Sequence, residues 1–165
     1  MIYAKPTTYN GITFRSRLEA RWAVYFDCIG IKYEYEMERF DFNDGTSYLP
    51  DFYLPQVKMW AEVKPIEFDK NAEDLVDKLV WQTESECLKL VGSPQPKSYE
   101  SICYDPMPYK EFCSPHLVHR YYILTNHYLF DESRFYSTPG YDDEAENFDD
   151  VMKSVNEAKN AFKFI

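Results

Sequence analysis

The sequence predicts a mixed α/β domain, and three observations predict it. A helical apolar period follows a turn near the N-terminus, strand-like alternation runs from residue 31 to 64, and a second helical period precedes a short apolar strand. Thr13 to Ile29 reads as the first helix, with Leu18, Trp22, Tyr25, Phe26 and Ile29 on one face. Asn10-Gly11 marks the turn before it and Gly30 the stop after it, while Arg15, Arg17, Glu19 and Arg21 take the other face. Residues 31–42 (IKYEYEMERFDF) alternate apolar and charged side chains, the period of a half-buried strand. Asn43-Asp44-Gly45 turns the chain into a second strand at TSYLPDFYLP, and Pro55 to Lys58 turns it again into MWAEVK, which Pro65 ends.

Asp69 to about Lys89 is helical, with Leu75, Leu79 and Cys87 or Leu88 spaced for one face, and LKLVG is a short buried strand. Residues 94–120, rich in Pro, Ser and Tyr, carry no clear period. RYYILTNHYLF reads as a further strand and Phe148 to Phe162 as a last amphipathic helix, with Phe148, Met152, Val155 and Phe162 on one side. The expected order is helix, three strands, helix, strand, then a C-terminal strand and helix as additions. With no internal repeat and no linker, residues 1–165 read as one domain.

No run approaches the eighteen or so apolar residues of a membrane span, and MIYAKPTTYN lacks the apolar core of a signal peptide. Cys28, Cys87, Cys103 and Cys113 are scattered without C-x-x-C spacing, so reduced thiols and a cytoplasmic location are expected. A net charge of −10 argues against simple phosphate binding. The charge is uneven, however. Residues 1–64 hold eight Lys/Arg against nine Asp/Glu, and residues 65–165 hold ten against nineteen, most densely in Asp131–Asp150. The acid is concentrated away from the chemistry described next, and suits a protein partner for the second half.

That chemistry lies in LPDFYLPQVKMWAEVKP. A turn centred between Gln56 and Val57 sets Asp51 opposite Glu62 and Leu49 opposite Lys64. Asp51, Glu62 and Lys64 then share one face of the hairpin, and Phe52, Leu54, Met59, Ala61 and Val63 form an apolar opposite face. Facing carboxylates repel by a few tenths to about 1 kcal/mol, a sign that a hard divalent cation reverses. Mg2+ between Asp51 and Glu62, with Lys64 holding a water or meeting a phosphate, is the arrangement of a phosphodiesterase. The ordinary alternative is an exposed strand face carrying a Glu62–Lys64 ion pair.

Pro50-Asp51 followed by Glu62-Val63-Lys64, after a helix bearing Glu19, resembles the PD-(D/E)xK nuclease superfamily. The likeness is greatest to small phage and bacterial members that open with a segment matching Tyr9, Gly11, Ile12, Phe14 and Arg15 to Ala23. It takes in LPDFYLP, LVGSP and NAFKF, and so spans most of the chain. The resemblance implies a restriction-endonuclease-like αβββαβ core with a mixed sheet, and an Mg2+-dependent endodeoxyribonuclease leaving 5′-phosphate and 3′-hydroxyl ends, with Mn2+ able to substitute. It implies Asp51, Glu62 and the Val63 carbonyl as metal ligands, Lys64 as the residue assisting the attacking water, and Glu19 as a further member of the acidic cluster. A helix-surface ion pair with Arg15 is the alternative for Glu19.

Arg15, Arg17 and Arg21 are candidate DNA phosphate contacts, as are Lys78 and Gln82, one turn apart on the second helix; a solvated helix face is the alternative for each. A zinc site from Cys113, His116 and His119, with Cys103 and His127 nearby, is the weaker metal reading because it offers one ragged ligand pair. Two other functions stay open, a catalytically silent or partner-dependent nuclease-fold binding module and an acidic decoy for a nucleic-acid-binding protein, as does a homodimer whose two chains pair to cut both strands.

Overall fold

The computed structural model describes residues 4–95, 98–105, 116–123 and 145–161. Along the chain run β1 (Thr7–Tyr9), β2 (Ile12–Phe14), α1 (Arg17–Cys28), β3 (Glu34–Tyr35), β4 (Phe40–Asp41), β5 (Ser47–Tyr48), β6 (Phe52–Leu54) and β7 (Met59–Lys64). Then come α2 (Lys70–Thr83), β8 (Cys87–Val91), β9 (Ser98–Asp105), β10 (His116–Ile123) and α3 (Ala145–Asn160). One six-stranded sheet has the order β10-β9-β8-β7-β6-β3, and β1-β2 and β4-β5 are separate two-stranded hairpins. Only β7 and β8, joined through α2, pair in parallel; the other neighbours in the sheet are antiparallel. The fold is therefore mixed α/β, with a mixed sheet and three helices among the described residues. None of these helices is long and apolar enough to cross a membrane.

The first helix starts later than its apolar period suggests. Ile12–Phe14 is a strand paired with Thr7–Tyr9 across Asn10 and Gly11, which both have positive φ, as a tight type I′ hairpin turn requires. Ser16 then caps α1, its Oγ accepting from the Glu19 N–H at 3.1 Å, so Arg15 lies outside the helix. The strand expected over residues 31–42 is broken at Glu36, whose φ of 48° turns the chain out of β3 toward β4. The strand expected from Thr46 is broken too: Pro50 has no N–H to donate, and β6 begins only at Phe52. α2 stops at Thr83, with Glu84 in the left-handed conformation, so Cys87 and Leu88 belong to β8 rather than to a helix face. β9 occupies part of the segment that carried no period, and β10 begins at His116 rather than Arg120.

The hairpin register matches expectation. Phe52 pairs with Ala61, Tyr53 with Trp60 and Leu54 with Met59. Alternation along β6 and β7 divides their side chains between two cores. Phe52, Leu54, Met59, Ala61 and Val63 join Phe14, Trp22, Phe26, Leu88, Leu90, Val155 and Ala158 beneath α1 and α3. Trp60 packs on the opposite face with Phe40, Tyr48, Val76, Leu79, Val80 and Cys87, beneath α2 and the β4–β5 hairpin. Phe52 is the hub of an aromatic cluster, its ring centroid lying 5.4–6.1 Å from those of Phe14, Phe26, Tyr33 and Tyr35. The indole N–H of Trp22 donates to the Gly92 carbonyl at 2.9 Å, locking α1 to the end of β8. In α3, Val155 is buried and Met152 half-buried as expected, whereas the side chains of Phe148 and Phe162 lie outside the described residues.

Candidate functional site

The two carboxylates stand on the β6–β7 hairpin at the end away from its turn. Asp51 sits in the bend that Pro50 creates, directly before β6 and opposite Glu62 on β7. The two are clamped reciprocally. The Val63 N–H donates to Asp51 Oδ2 at 2.8 Å, and the Asp51 N–H donates to Glu62 Oε2 at 3.3 Å. The remaining oxygens face cations: Arg15 Nη2 lies 3.2 Å from Asp51 Oδ1, and Lys64 Nζ 2.5 Å from Glu62 Oε1. Asp51 is 5% exposed and Glu62 4%. The carboxylate side is thus not the exposed strand face of the ordinary alternative, and Trp60 and Tyr48 are buried in the core on that side.

Burial on this scale disfavours charge. The Asp51 carboxyl is pushed well above the usual carboxylate range by desolvation, then by the charges of Glu62 and Glu19, against the Val63 N–H and Lys64. Burial acts to lower Lys64, but the charge of Glu62 and its hydrogen bond prevail and raise it, so the ammonium is retained. Asp51, Glu62 and Lys64 thus form a partly neutralised, mostly dry cluster with lone pairs directed at its cations.

Glu19 joins the cluster from α1. It is buried in the first turn, and its Oε2 accepts from the Tyr35 hydroxyl at 2.5 Å, which in turn accepts from the Arg15 N–H at 2.9 Å. The ion pair considered between Glu19 and Arg15 is absent from the structure; Arg15 pairs with Asp51 and Glu36 instead. Val63 enters the site through its N–H. Among the phosphate candidates, Arg15 is at the cluster and Arg17 opens α1 beside it. Arg21 is turned away, its Nε donating to the Ala161 carbonyl at 3.4 Å and tying α1 to the end of α3. Lys78 pairs with Asp44, bonds Thr46 and stands over the Phe42 ring, bracing α2 against the β4–β5 turn. Gln82 is exposed in the last turn of α2. Of the zinc candidates, His116 and His119 lie on β10 and Cys103 is buried on β9, while Cys113 and His127 lie outside the described residues. The side chains of the acids in 131–150 also lie outside them.

Three residues of the site went unnoticed in the sequence. Glu36 donates its N–H to the Asp51 carbonyl at 2.9 Å and pairs with Arg15 through its carboxylate. Tyr35 holds Glu19. Tyr48 brings a buried hydroxyl to face Glu62 without making a hydrogen bond, and burial followed by the Glu62 charge keeps it protonated. Each depends on a contact between segments far apart in the chain, for which no local pattern exists. Tyr48 alone had a cue, lying three residues before Asp51.

Among the described residues no three Asp, Glu, His or Cys side chains gather closely enough to form a metal cage. Mg2+ needs no such cage: it uses one or two carboxylates and otherwise keeps water or takes substrate phosphate oxygens. The donors here are hard oxygens alone, the pair is nearly dry, and its charges repel, so Asp51 and Glu62 suit such an ion. No protein-family model matches this chain, and neither a curated protein nor a solved structure matches it.

Proposed function

We propose that this chain is a metal-dependent nuclease of the PD-(D/E)xK kind that hydrolyses phosphodiester bonds in DNA. The observation that carries the reading is the pair of buried carboxylates, Asp51 and Glu62, clamped across β6 and β7 with the Lys64 ammonium on Glu62. An αβββαβ core of that superfamily would take α1, β3, β6, β7, α2 and β8 as its helix, three strands, helix and strand. Asp51 and Glu62 would hold Mg2+, or Mn2+ in its place, and the ion would supply Lewis-acid polarisation of the phosphoryl group and a more acidic bound water. Lys64 orients the attacking water and offsets charge as it builds on the phosphate. Glu19, held by Tyr35, adds negative potential that favours cation uptake. Arg15, just before the Ser16 cap, and Arg17, the first residue of α1, would take phosphates of the strand. Arg21 and Lys78 also hold structural contacts, with Ala161 and with Asp44 and Thr46.

The two-carboxylate donor set favours one second reading, a nuclease fold that binds without turning over until a partner completes the site. Cleavage of labelled single-stranded, duplex and branched DNA with Mg2+ or Mn2+ separates the two. Wild type is expected to cut at least one substrate, and Lys64→Ala and Asp51→Asn to lose at least about 10²-fold in rate. If wild type cuts none of them at low salt with either ion, the autonomous nuclease is refuted; activity restored by an added partner would then establish the second reading.

A further inference from the structure

The four oxygens of the carboxylate pair divide by what they meet. Asp51 Oδ2 and Glu62 Oε2 are tied to backbone N–H groups, whereas Asp51 Oδ1 and Glu62 Oε1 receive the guanidinium of Arg15 and the ammonium of Lys64. An ion held by both carboxylates would compete with these cations for the pair's negative charge. Lys64 is bound to its place by the strand, two residues from Glu62. Arg15 is not: it precedes the Ser16 cap, its side chain is 57% exposed, and it reaches Asp51 with one nitrogen while another pairs with Glu36.

Glu36 is the second half of the arrangement. It takes a left-handed φ of 48°, which a non-glycine residue rarely adopts, and its N–H is fixed on the Asp51 carbonyl. This strained bend holds a carboxylate at the rim, next to the guanidinium. Building on the metal-dependent nuclease reading, we propose that Arg15 is a resident counter-ion that competes with the divalent cation for Asp51, and that Glu36 retains the displaced guanidinium at the rim, where it takes a DNA phosphate.

No covalent step is involved; one ion pair is exchanged for another. A dication held by Asp51 would repel the guanidinium and supply more charge than it did, while the pair with Glu36 would keep the arginine from leaving altogether. The exchange links the two ligands. DNA that draws Arg15 outward uncovers Asp51 for the metal, and metal that expels Arg15 readies it for phosphate, so each ligand strengthens the other to the same degree. Arg15 is thus a positioning residue with effects of opposite sign on the two ligands, which a merely structural arginine would not produce.

Calorimetric titration with Mn2+ in the absence of DNA tests this on wild type, Arg15→Ala, Arg15→Lys and Asp51→Asn, each shown folded by circular dichroism. Arg15→Ala is expected to bind Mn2+ more tightly than wild type, by roughly two- to fivefold, the worth of one half-exposed ion pair. Arg15→Lys, which keeps the charge, is expected to stay near wild type. With cleavage blocked by Lys64→Ala, adding Arg15→Ala should weaken binding of a labelled oligonucleotide in Mn2+ and lower its salt slope by about 1. Unchanged or weaker Mn2+ binding by Arg15→Ala, with wild-type binding that Asp51→Asn abolishes, overturns the exchange and leaves the metal site standing. Tighter binding by Arg15→Lys equal to that of Arg15→Ala also overturns it. Absence of Mn2+ binding in folded wild type defeats both the exchange and the metal-dependent reading.

Discussion

Replacing Asp51 with asparagine should strengthen the fold and destroy its response to metal. Asparagine keeps an oxygen for the Val63 N–H and removes a charge from a position 5% exposed and opposite Glu62. Relief of that cross-strand repulsion is worth up to about 1 kcal/mol, and relief of carboxylate desolvation adds to it. Against this stands the lost pair with Arg15, whose half-exposed side chain limits it to a few tenths of a kcal/mol, roughly. The net expectation at pH 7 is a gain of about 1 kcal/mol, or roughly 2–4 °C in melting temperature for a chain of this size. The pH dependence fixes the sign. Because the folded carboxyl titrates above its usual range, its stabilising, protonated form is fully present below the unfolded value and lost as pH rises through the folded one. The advantage of asparagine therefore grows from acid toward neutral pH. In 10 mM Mg2+, a dissociation constant of about 1 mM would return ~1.4 kcal/mol to wild type and almost nothing to the variant. Thermal unfolding followed by circular dichroism between pH 4 and 8, with and without Mg2+, reads all of this. An Asp51→Asn protein that gains as much from Mg2+ as wild type, or that is favoured at acid rather than neutral pH, would refute the reasoning.

Two further substitutions probe the supports of the site. Ser16→Ala removes the cap that receives the Glu19 N–H and should cost about 1 kcal/mol in thermal unfolding; a negligible change would show that α1 does not depend on this cap. Tyr48→Phe removes a buried hydroxyl that makes no hydrogen bond, so the urea midpoint should hold or rise; a loss of more than about 1 kcal/mol would show that the hydroxyl serves Glu62 as a donor.

The β6–β7 hairpin was legible almost to the residue, because period-2 alternation with a turn of known length leaves one register. Asp51 and Glu62 meet as the spacing requires. The start of α1 was misjudged although its cue was printed: Asn10-Gly11 between short apolar runs signals a hairpin, and the apolar spacing that follows extended the helix backward over it. The end of α2 had no comparable cue. Glu84 supplies the left-handed turn usually given to glycine, and Cys87 and Leu88 satisfy a helical period while pairing in β8. Glu36 was illegible for the same reason, a positive φ at a residue whose type does not announce it. Its strain is held by the bond to Asp51 and the pair with Arg15, both made by distant segments.

The placement of α3 bears on how the protein comes into being. The core beneath α1 contains every element from β2 to β9 that faces it, yet it is completed by Val155 and Ala158, and Arg21 and Cys28 find partners in Ala161 and Glu157. A growing chain therefore holds the Asp51–Glu62 hairpin before it holds the α3 residues that complete the packing on α1, and α1 carries Glu19 with Arg15 at its threshold. The contacts of α1 with Val155, Glu157, Ala158 and Ala161 are the last to become available. The nuclease activity proposed above would lack this packing on α1 until α3 had joined the core.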